Sequence, residues 1–269
     1  MSVIEVNNLK INEGERIIVD SISFSINSGE WLALIGESGS GKSVTASTIG
    51  MLIPEGLKLV SGDIILKGIN VNELNKNEFR NIRGKEIAYV FQDYQSAFTP
   101  FIKIGKQIDE MIKCHIKKSA KERKNMIHET LKDVGLDEKR IFGSYPFQLS
   151  GGQLQRAAIA QAVILKPKLI IADEPTTALD AITTSKILKL LFEIKEKTQC
   201  ALLFITHDLR CVKNYADQIA VMYQGKIVEM GNTDRVVNNP EHIYTKNLFA
   251  AIPPIHNVPK RLNVIGDKF

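Results

Sequence analysis

Gly36-Glu37-Ser38-Gly39-Ser40-Gly41-Lys42-Ser43 sets three glycines and one lysine in a G-x-x-x-x-G-K-S spacing. Residues of these types at this spacing can hold a polyphosphate. Gly36, Gly39 and Gly41 permit backbone conformations that a Cβ forbids, so successive N–H groups can turn inward as an anion nest. Lys42 offers a point charge to the β- and γ-phosphates, and Ser43 a hydroxyl ligand for Mg²⁺. A bare glycine-rich turn would bind nothing, so the flanks decide. Before the stretch lies Trp31-Leu32-Ala33-Leu34-Ile35, a short apolar run of buried-strand type. After it, Ser43 to Ile49 can form a helix, whose N-terminus would add its own positive end. A strand-to-helix turn is the setting a phosphate loop requires.

Such a loop needs a second acid to hold the metal. Lys168-Leu169-Ile170-Ile171-Ala172-Asp173-Glu174 supplies it at the end of another apolar run. Asp173 would hold Mg²⁺ through water, and Glu174 could polarise an attacking water. Two adjacent carboxylates at a strand end are costly to bury without a cation.

Leu149-Ser150-Gly151-Gly152-Gln153-Leu154-Gln155-Arg156 opens a further helix with small residues. It reads either as a helix cap or as another anion-binding N-terminus. One nucleotide does not need two such cradles from one chain. A second copy, facing head to tail, could complete each site from the other side.

The elements that must position these residues are readable in outline. Val3 to Val6 and Ile18 to Ile26 alternate apolar and polar, which predicts antiparallel strands with one wet face. Asp63 to Leu66 predicts another, ending at Gly68. From about 100 to 165 the pattern turns helical. Ser119-x-x-Glu122 predicts a capping box opening a helix through Leu131 and Val134, stopped by Gly135. Leu169 to Ala172 and Ala201 to Ile205 are buried-strand runs, and Gln218 to Met230 predicts a hairpin turning at Gln224-Gly225. The expectation is an α/β core interrupted by a helical insert, with an antiparallel edge on the N-terminal side.

Composition narrows the class. The chain has 269 residues, 44% hydrophobic and 24% charged, the balance of an ordinary globular protein. No apolar run approaches the roughly 18 residues of a membrane span, and MSVIEVNNLK lacks the marks of a signal peptide, so a cytoplasmic location is expected. Cys114, Cys200 and Cys211 form no C-x-x-C pair and predict neither zinc site nor disulfide. The net charge of +5 is modest. The basic stretch from Lys117 to Lys124 is interrupted by Glu122 and lacks aromatic residues, so no nucleic-acid partner is expected.

GESGSGKS, LSGGQLQR and LIIADEPTTALD, in that order, resemble the ATP-binding cassette family over nearly the whole chain. The resemblance implies an α/β fold: a P-loop NTPase core, RecA-like and mostly parallel, with an antiparallel β subdomain and an inserted α-helical subdomain. It implies a single ABC ATPase domain over 1–269, with 1–95 and 166–232 as core and antiparallel β subdomain, 96–165 as helical signature subdomain, and 233–269 as C-terminal extension. Implied cofactors are ATP and Mg²⁺. Gly36, Glu37, Ser38, Gly39, Ser40, Gly41, Lys42, Ser43 and Gln92 would bind ATP, with Ser43, Gln92 and Asp173 toward Mg²⁺. Glu174 and His207 would be catalytic, His207 reaching the γ-phosphate. Ser150, Gly151, Gly152 and Gln153 would address the opposite subunit's ATP. Asp180, in Ala178-Leu179-Asp180, would communicate across the dimer.

The family commonly stacks adenine on an aromatic in the N-terminal loop. Leu9 to Arg16 has none, and Ile11 is the expected weak substitute. In the aromatic stretch Phe91, Tyr94, Phe98 and Phe101, Tyr94 or Phe98 is the expected contact with a partner.

Two functional classes follow from the resemblance: the motor of a membrane transporter, or a soluble cassette ATPase acting in translation or DNA maintenance. One cassette without long heptads favours transport. The segment Asn239-Pro240-Glu241-His242-Ile243-Tyr244-Thr245 through Ala251-Ile252-Pro253 resembles the tail of peptide and nickel importers, with Ile243 at a usual proline. It implies a bacterial importer of oligopeptides, nickel or metal–metallophore complexes, at the cytoplasmic face of the membrane. Its partners would be a second cassette, identical or homologous, two transmembrane permease subunits and, indirectly, an extracellular substrate-binding protein. Many such members carry a cysteine-rich tail; none is present before Phe269, so no iron–sulfur cluster is expected. His242 and His256 are not read as metal ligands.

Overall fold

The computed structural model describes residues 1–177 and 179–251. Ala178, Ile252, Pro253 and His256, which figured in the motifs above, lie outside the described residues, as does the rest of 252–269.

Two sheets carry the architecture. The first is antiparallel and four-stranded, in the order β2-β1-β4-β5, from β1 (Ser2–Glu13), β2 (Arg16–Asn27), β4 (Leu57–Leu66) and β5 (Ile69–Asn70). The second has six strands in the order β10-β9-β3-β8-β7-β6. Its members are β3 (Trp31–Ile35), β6 (Ile87–Val90), β7 (Leu169–Asp173), β8 (Ala201–Thr206), β9 (Gln218–Tyr223) and β10 (Lys226–Asn232). All pairs in it are parallel except β9 with β10.

The antiparallel strands therefore form a sheet of their own rather than an edge of the core sheet. β1 pairs with β2 on one side and β4 on the other, so β3 finds its neighbours elsewhere, in β8 and β9. The hairpin turn of β9 and β10 falls at Gln224-Gly225, both with positive φ, at 47° and 80°. Every residue of β3, β7 and β8 is buried, which explains their unbroken apolar runs. In β3, Leu32 and Leu34 face the antiparallel sheet, Trp31 packs into the helical side, and Ala33 and Ile35 meet the C-terminal helices. Each such large side chain contributes about 2 kcal/mol of hydrophobic stabilisation.

The helices are α1 (Lys42–Ile49), α2 (Lys76–Ile82), α3 (Ile104–His115), α4 (Ala120–Asp133), α5 (Glu138–Gly143), α6 (Gly151–Val163), α7 (Ala181–Thr198), α8 (Leu209–Tyr215), α9 (Thr233–Asn238) and α10 (Ile243–Ala250). α3 to α6 fill the long interval between β6 and β7. Ile104, Ile108 and Ile112 of α3 pack with Ile127 and Leu131 of α4. α4 opens with the reciprocal Ser119/Glu122 capping box and gives way to Gly135 at φ 72°. Among the described residues no helix is long and apolar enough to cross a membrane.

Two further expectations need correction. β1 runs unbroken through Glu13, and Leu9 and Ile11 are fully buried in the core. Ile11 cannot reach a bound base. Tyr94 and Phe98 are also core residues, at 6% and 3% exposure. Phe91 and Phe101 are the exposed members of that stretch. Strand pairing to β4 turned a polar segment into sheet, and periodicity could not say which aromatics point inward.

Candidate functional site

Four segments leave the C-terminal ends of adjacent parallel strands. β3 leads to the glycine loop, β6 to Gln92, β7 to Asp173 and Glu174, and β8 to His207. Open parallel sheets place their ligands at this edge.

The loop is held open by close packing. Gly36 sits at φ 148°, and a Cβ there would collide with the Met222 carbonyl oxygen of β9. Gly41 caps α1 without any side-chain bond, leaving the helix N-terminus free for an anion. Lys42 is buried. Its ammonium donates to Gly36 O at 2.9 Å, Glu37 O at 2.6 Å and Ser40 Oγ at 3.3 Å. Burial pulls its pKa below the usual lysine value, against the opposing charges of Glu174, Asp173 and Glu37.

Asp173 is buried at the end of β7. Ser43 Oγ donates to its Oδ1 at 3.0 Å, and Tyr89 Oη to its Oδ2 at 3.0 Å. Burial raises its pKa, and those two hydrogen bonds pull it back in part. Burial beside the same carboxylate raises the Tyr89 phenol in turn, so Tyr89 stays a donor.

Glu174 adopts φ 45°, a left-handed conformation that costs a residue with a Cβ about 1–2 kcal/mol. Its N–H bonds Ile205 O at 2.9 Å, which fixes the turn out of the sheet. Thr177 Oγ1 donates to Glu174 Oε2 at 3.0 Å, and His207 Nδ1 lies 3.1 Å from Oε1. The two carboxylates of the acidic pair are thereby aimed apart, one toward Ser43 and one toward His207.

Ser38, Gly39, Gly41, Lys42, Ser43, Gln92, Glu174 and His207 line one cleft of about 570 Å³, together with Ile18 and Val44. Ser43 and Gln92 at the cleft, with Asp173 bonded to Ser43, carry oxygen ligands of a chemistry that suits Mg²⁺. Ile18 of β2, and not Ile11, lines this cleft.

Ser150, Gly151, Gly152 and Gln153 do not line that cleft. Ser150 and Gln153 cap α6 reciprocally, with Ser150 N–H donating to Gln153 Oε1 at 3.1 Å and Gln153 N–H to Ser150 Oγ at 3.4 Å. Gly151 passes close beneath the Tyr94 hydroxyl, where a Cβ would stand at 2.8 Å. Asp180 caps α7, accepting from Ile182 N–H, Thr183 N–H and Thr183 Oγ1.

Three residues outside the predicted set support the site. Tyr89 and Thr177 hold the two carboxylates. The buried Gln155 donates to Pro175 O at 2.7 Å, tying α6 to the segment after Glu174. Thr177 carries a faint sequence signal, a hydroxyl three residues after an acid. Tyr89 reads only as one more apolar residue of a strand.

A phosphate loop, an acidic strand end, a glutamine after β6 and a histidine after β8 around one cleft define a nucleotide-hydrolysing cassette. The chain belongs to the ABC transporter family, whose pattern matches residues 19–177. It is 43% identical over 260 residues to the metal-staphylopine import system ATP-binding protein CntD of Staphylococcus aureus, covering 96% of each chain. It is 42% identical to the oligopeptide transport ATP-binding protein OppD of Bacillus subtilis, over 95% of this chain and 73% of that one. Among solved structures, the dimeric ATP-binding cassette MJ0796 in a post-hydrolysis state bound to ADP and Pi superposes with a TM-score of 0.75 at 31% identity, covering 86% of this chain and 98% of that one. CbiO1 of Clostridium perfringens, part of the cbiONQ transporter complex, gives 0.78 at 27% identity, over 92% and 95%. The chain is an ATP-hydrolysing cassette of that family.

Proposed function

We propose that this cassette powers a bacterial importer of metal–metallophore complexes or short peptides, from the cytoplasmic face of the membrane. The observation that carries the ATP-hydrolysing part is the convergence of Lys42, Ser43, Glu174 and His207 on one cleft. The cargo class rests on the names of the relatives just given.

ATP enters with its phosphates against the N–H groups from Ser38 to Ser43. Lys42 leaves the Gly36 and Glu37 carbonyls and turns to the β- and γ-phosphates. Mg²⁺, held by Ser43, Gln92 and Asp173, would neutralise charge on the phosphate oxygens when bound. Glu174 orients a water toward the γ-phosphorus and takes its proton. As the water oxygen bonds to phosphorus, the bond to the β-phosphate oxygen breaks and ADP leaves with that electron pair. His207 holds the γ-phosphate and the Glu174 carboxylate in register. Positioning and charge stabilisation of this kind supply most of the acceleration in phosphoryl transfer.

Ser150 to Gln153 stand away from the cleft, with Ser150 and Gln153 capping α6. This supports a head-to-tail dimer in which they close the partner's ATP, with Asp180 at the seam. The division into core with antiparallel β subdomain, helical signature subdomain (96–165) and C-terminal extension (from 233) belongs to the same reading. A groove of about 720 Å³ lined in part by Gly50, Tyr89, Phe91, Ala97 and Met111 is the surface offered to the membrane subunits. The soluble alternative, in translation or DNA maintenance, has no counterpart among the relatives given.

The test is purification of the tagged chain from detergent-solubilised membranes of its own host. A stable complex with two multi-span permease subunits supports the reading. Recovery with ribosomes or DNA, and without membrane proteins, would reject it.

A further inference from the structure

The phosphate loop is gripped from the C-terminal part of the chain. Gly225 N–H, in the turn between β9 and β10, donates to Ser40 O at 3.1 Å. Glu37 N–H donates to Tyr244 Oη at 2.9 Å, across a separation of 207 residues. Tyr244 belongs to α10 and is fully buried. Its ring lies against Tyr223 of β9, with centroids 4.2 Å apart. α10 is itself fixed at its start. Glu229 of β10 accepts from Glu241 N–H at 2.9 Å and His242 N–H at 3.0 Å, and His242 Nδ1 accepts from Tyr244 N–H at 3.2 Å. A continuous path of hydrogen bonds thus runs from β10, through the turn before α10, to the base of the loop.

We infer that Tyr244 is a positioning residue for nucleotide binding: its hydroxyl holds the Gly36–Glu37 segment in place while Lys42 exchanges the loop carbonyls for phosphate. The Glu37 backbone has partners on both sides: Lys42 and the Ser40 N–H donate to its carbonyl, and its own N–H donates to Tyr244. When Lys42 turns to the phosphates, the carbonyl loses its charged donor. Tyr244 is then the side chain that still grips this peptide. A loop fixed before the ligand arrives loses less freedom on binding, which appears as affinity. Tyr244 lies well beyond the matched residues 19–177, and the inference rests on the cleft being the nucleotide site.

The test compares the full chain with Tyr244→Phe, which keeps the ring against Tyr223 and removes only the hydroxyl. ADP binding is measured by calorimetry with Mg²⁺ present, alongside steady-state ATP hydrolysis and thermal unfolding. The expected result is a roughly three- to tenfold weaker ADP affinity and a matching rise in KM for ATP, with kcat within about twofold. His242→Ala, which removes the cap of α10 and leaves the hydroxyl in place, should give a smaller shift in the same direction. A Tyr244→Phe chain that melts earlier yet binds ADP as tightly as the wild type would overturn the inference, leaving Tyr244 a packing residue. Failure of the wild-type chain to bind ADP would instead reject the nucleotide site itself.

Discussion

Tyr89 and Asp173 share a hydrogen bond of 3.0 Å that joins the wall of the groove to a buried acid behind the cleft. Asp173 stands beside Ser43 at the cleft, while the Tyr89 ring lines the groove on the other side of β6. One side chain therefore touches both the acid assigned to the metal and the groove proposed for a membrane subunit.

Removing that hydroxyl has a predictable sign. The Tyr89 bond lowers the pKa of Asp173 against the larger effect of burial. Tyr89→Phe should push the Asp173 carboxyl further up, so the acid limb of the pH profile for ATP hydrolysis moves to higher pH. Apparent Mg²⁺ affinity at neutral pH should fall by a few-fold. The profile is measured on the purified chain at saturating ATP, and an unmoved acid limb contradicts the assignment.

Lys42 is held by loop carbonyls in a buried position that lowers its pKa. A Lys42→Met variant should lose roughly tenfold or more in ATP affinity, because charge-assisted bonds to phosphate disappear. Its melting temperature should shift little, since the desolvation cost of the ammonium that is removed offsets the loop hydrogen bonds that are lost. Calorimetric titration and thermal unfolding read the two effects separately.

The aromatic stretch divides by burial. Tyr94→Ala should cost about 3 kcal/mol of stability, or roughly 6–12 °C for a chain of this size. Phe91→Ala, at an exposed position, should leave stability and basal ATPase nearly unchanged while weakening recovery with the membrane subunits. Equal melting temperatures for the two variants would contradict this division.

Glu229 gives a stability prediction with a pH window. Burial alone would raise its pKa, but the N–H groups of Glu241 and His242, with Thr245 and Arg235, bring it below the ordinary 4.5. A carboxyl lowered on folding adds stability that is present above its unfolded value and is lost as pH falls through the folded value. The gap in melting temperature between wild type and Glu229→Gln should be full near pH 7 and should close progressively below about 4.5.

The cleft was legible in the sequence where chemistry is local. The glycine loop, the acidic strand end and the residues after β6 and β8 each carry their own short pattern, and parallel pairing gathers them at one edge. The supporting contacts were not legible, because they join residues far apart in the chain. Tyr89 meets Asp173 across 84 residues and Tyr244 meets Glu37 across 207, and each reads locally as core. Ile11 was placed toward the base by the family's loop position, whereas pairing with β4 makes most of Leu9 to Arg16 strand and buries Ile11. Tyr94 and Phe98 were misjudged because composition gives no direction to a side chain outside a regular element.

The most direct measurement of the central claim is single-turnover ATP hydrolysis by the assembled cassette, wild type against Glu174→Gln, with ATP binding followed in parallel. Glu174, held by Thr177 and facing His207, is assigned as the group that activates water. The account predicts a loss of roughly 10²–10⁴-fold in the hydrolysis rate with ATP binding retained. A variant that still hydrolyses ATP within a few-fold of the wild type would show that the water is activated elsewhere, and the assignment of Glu174 would fall.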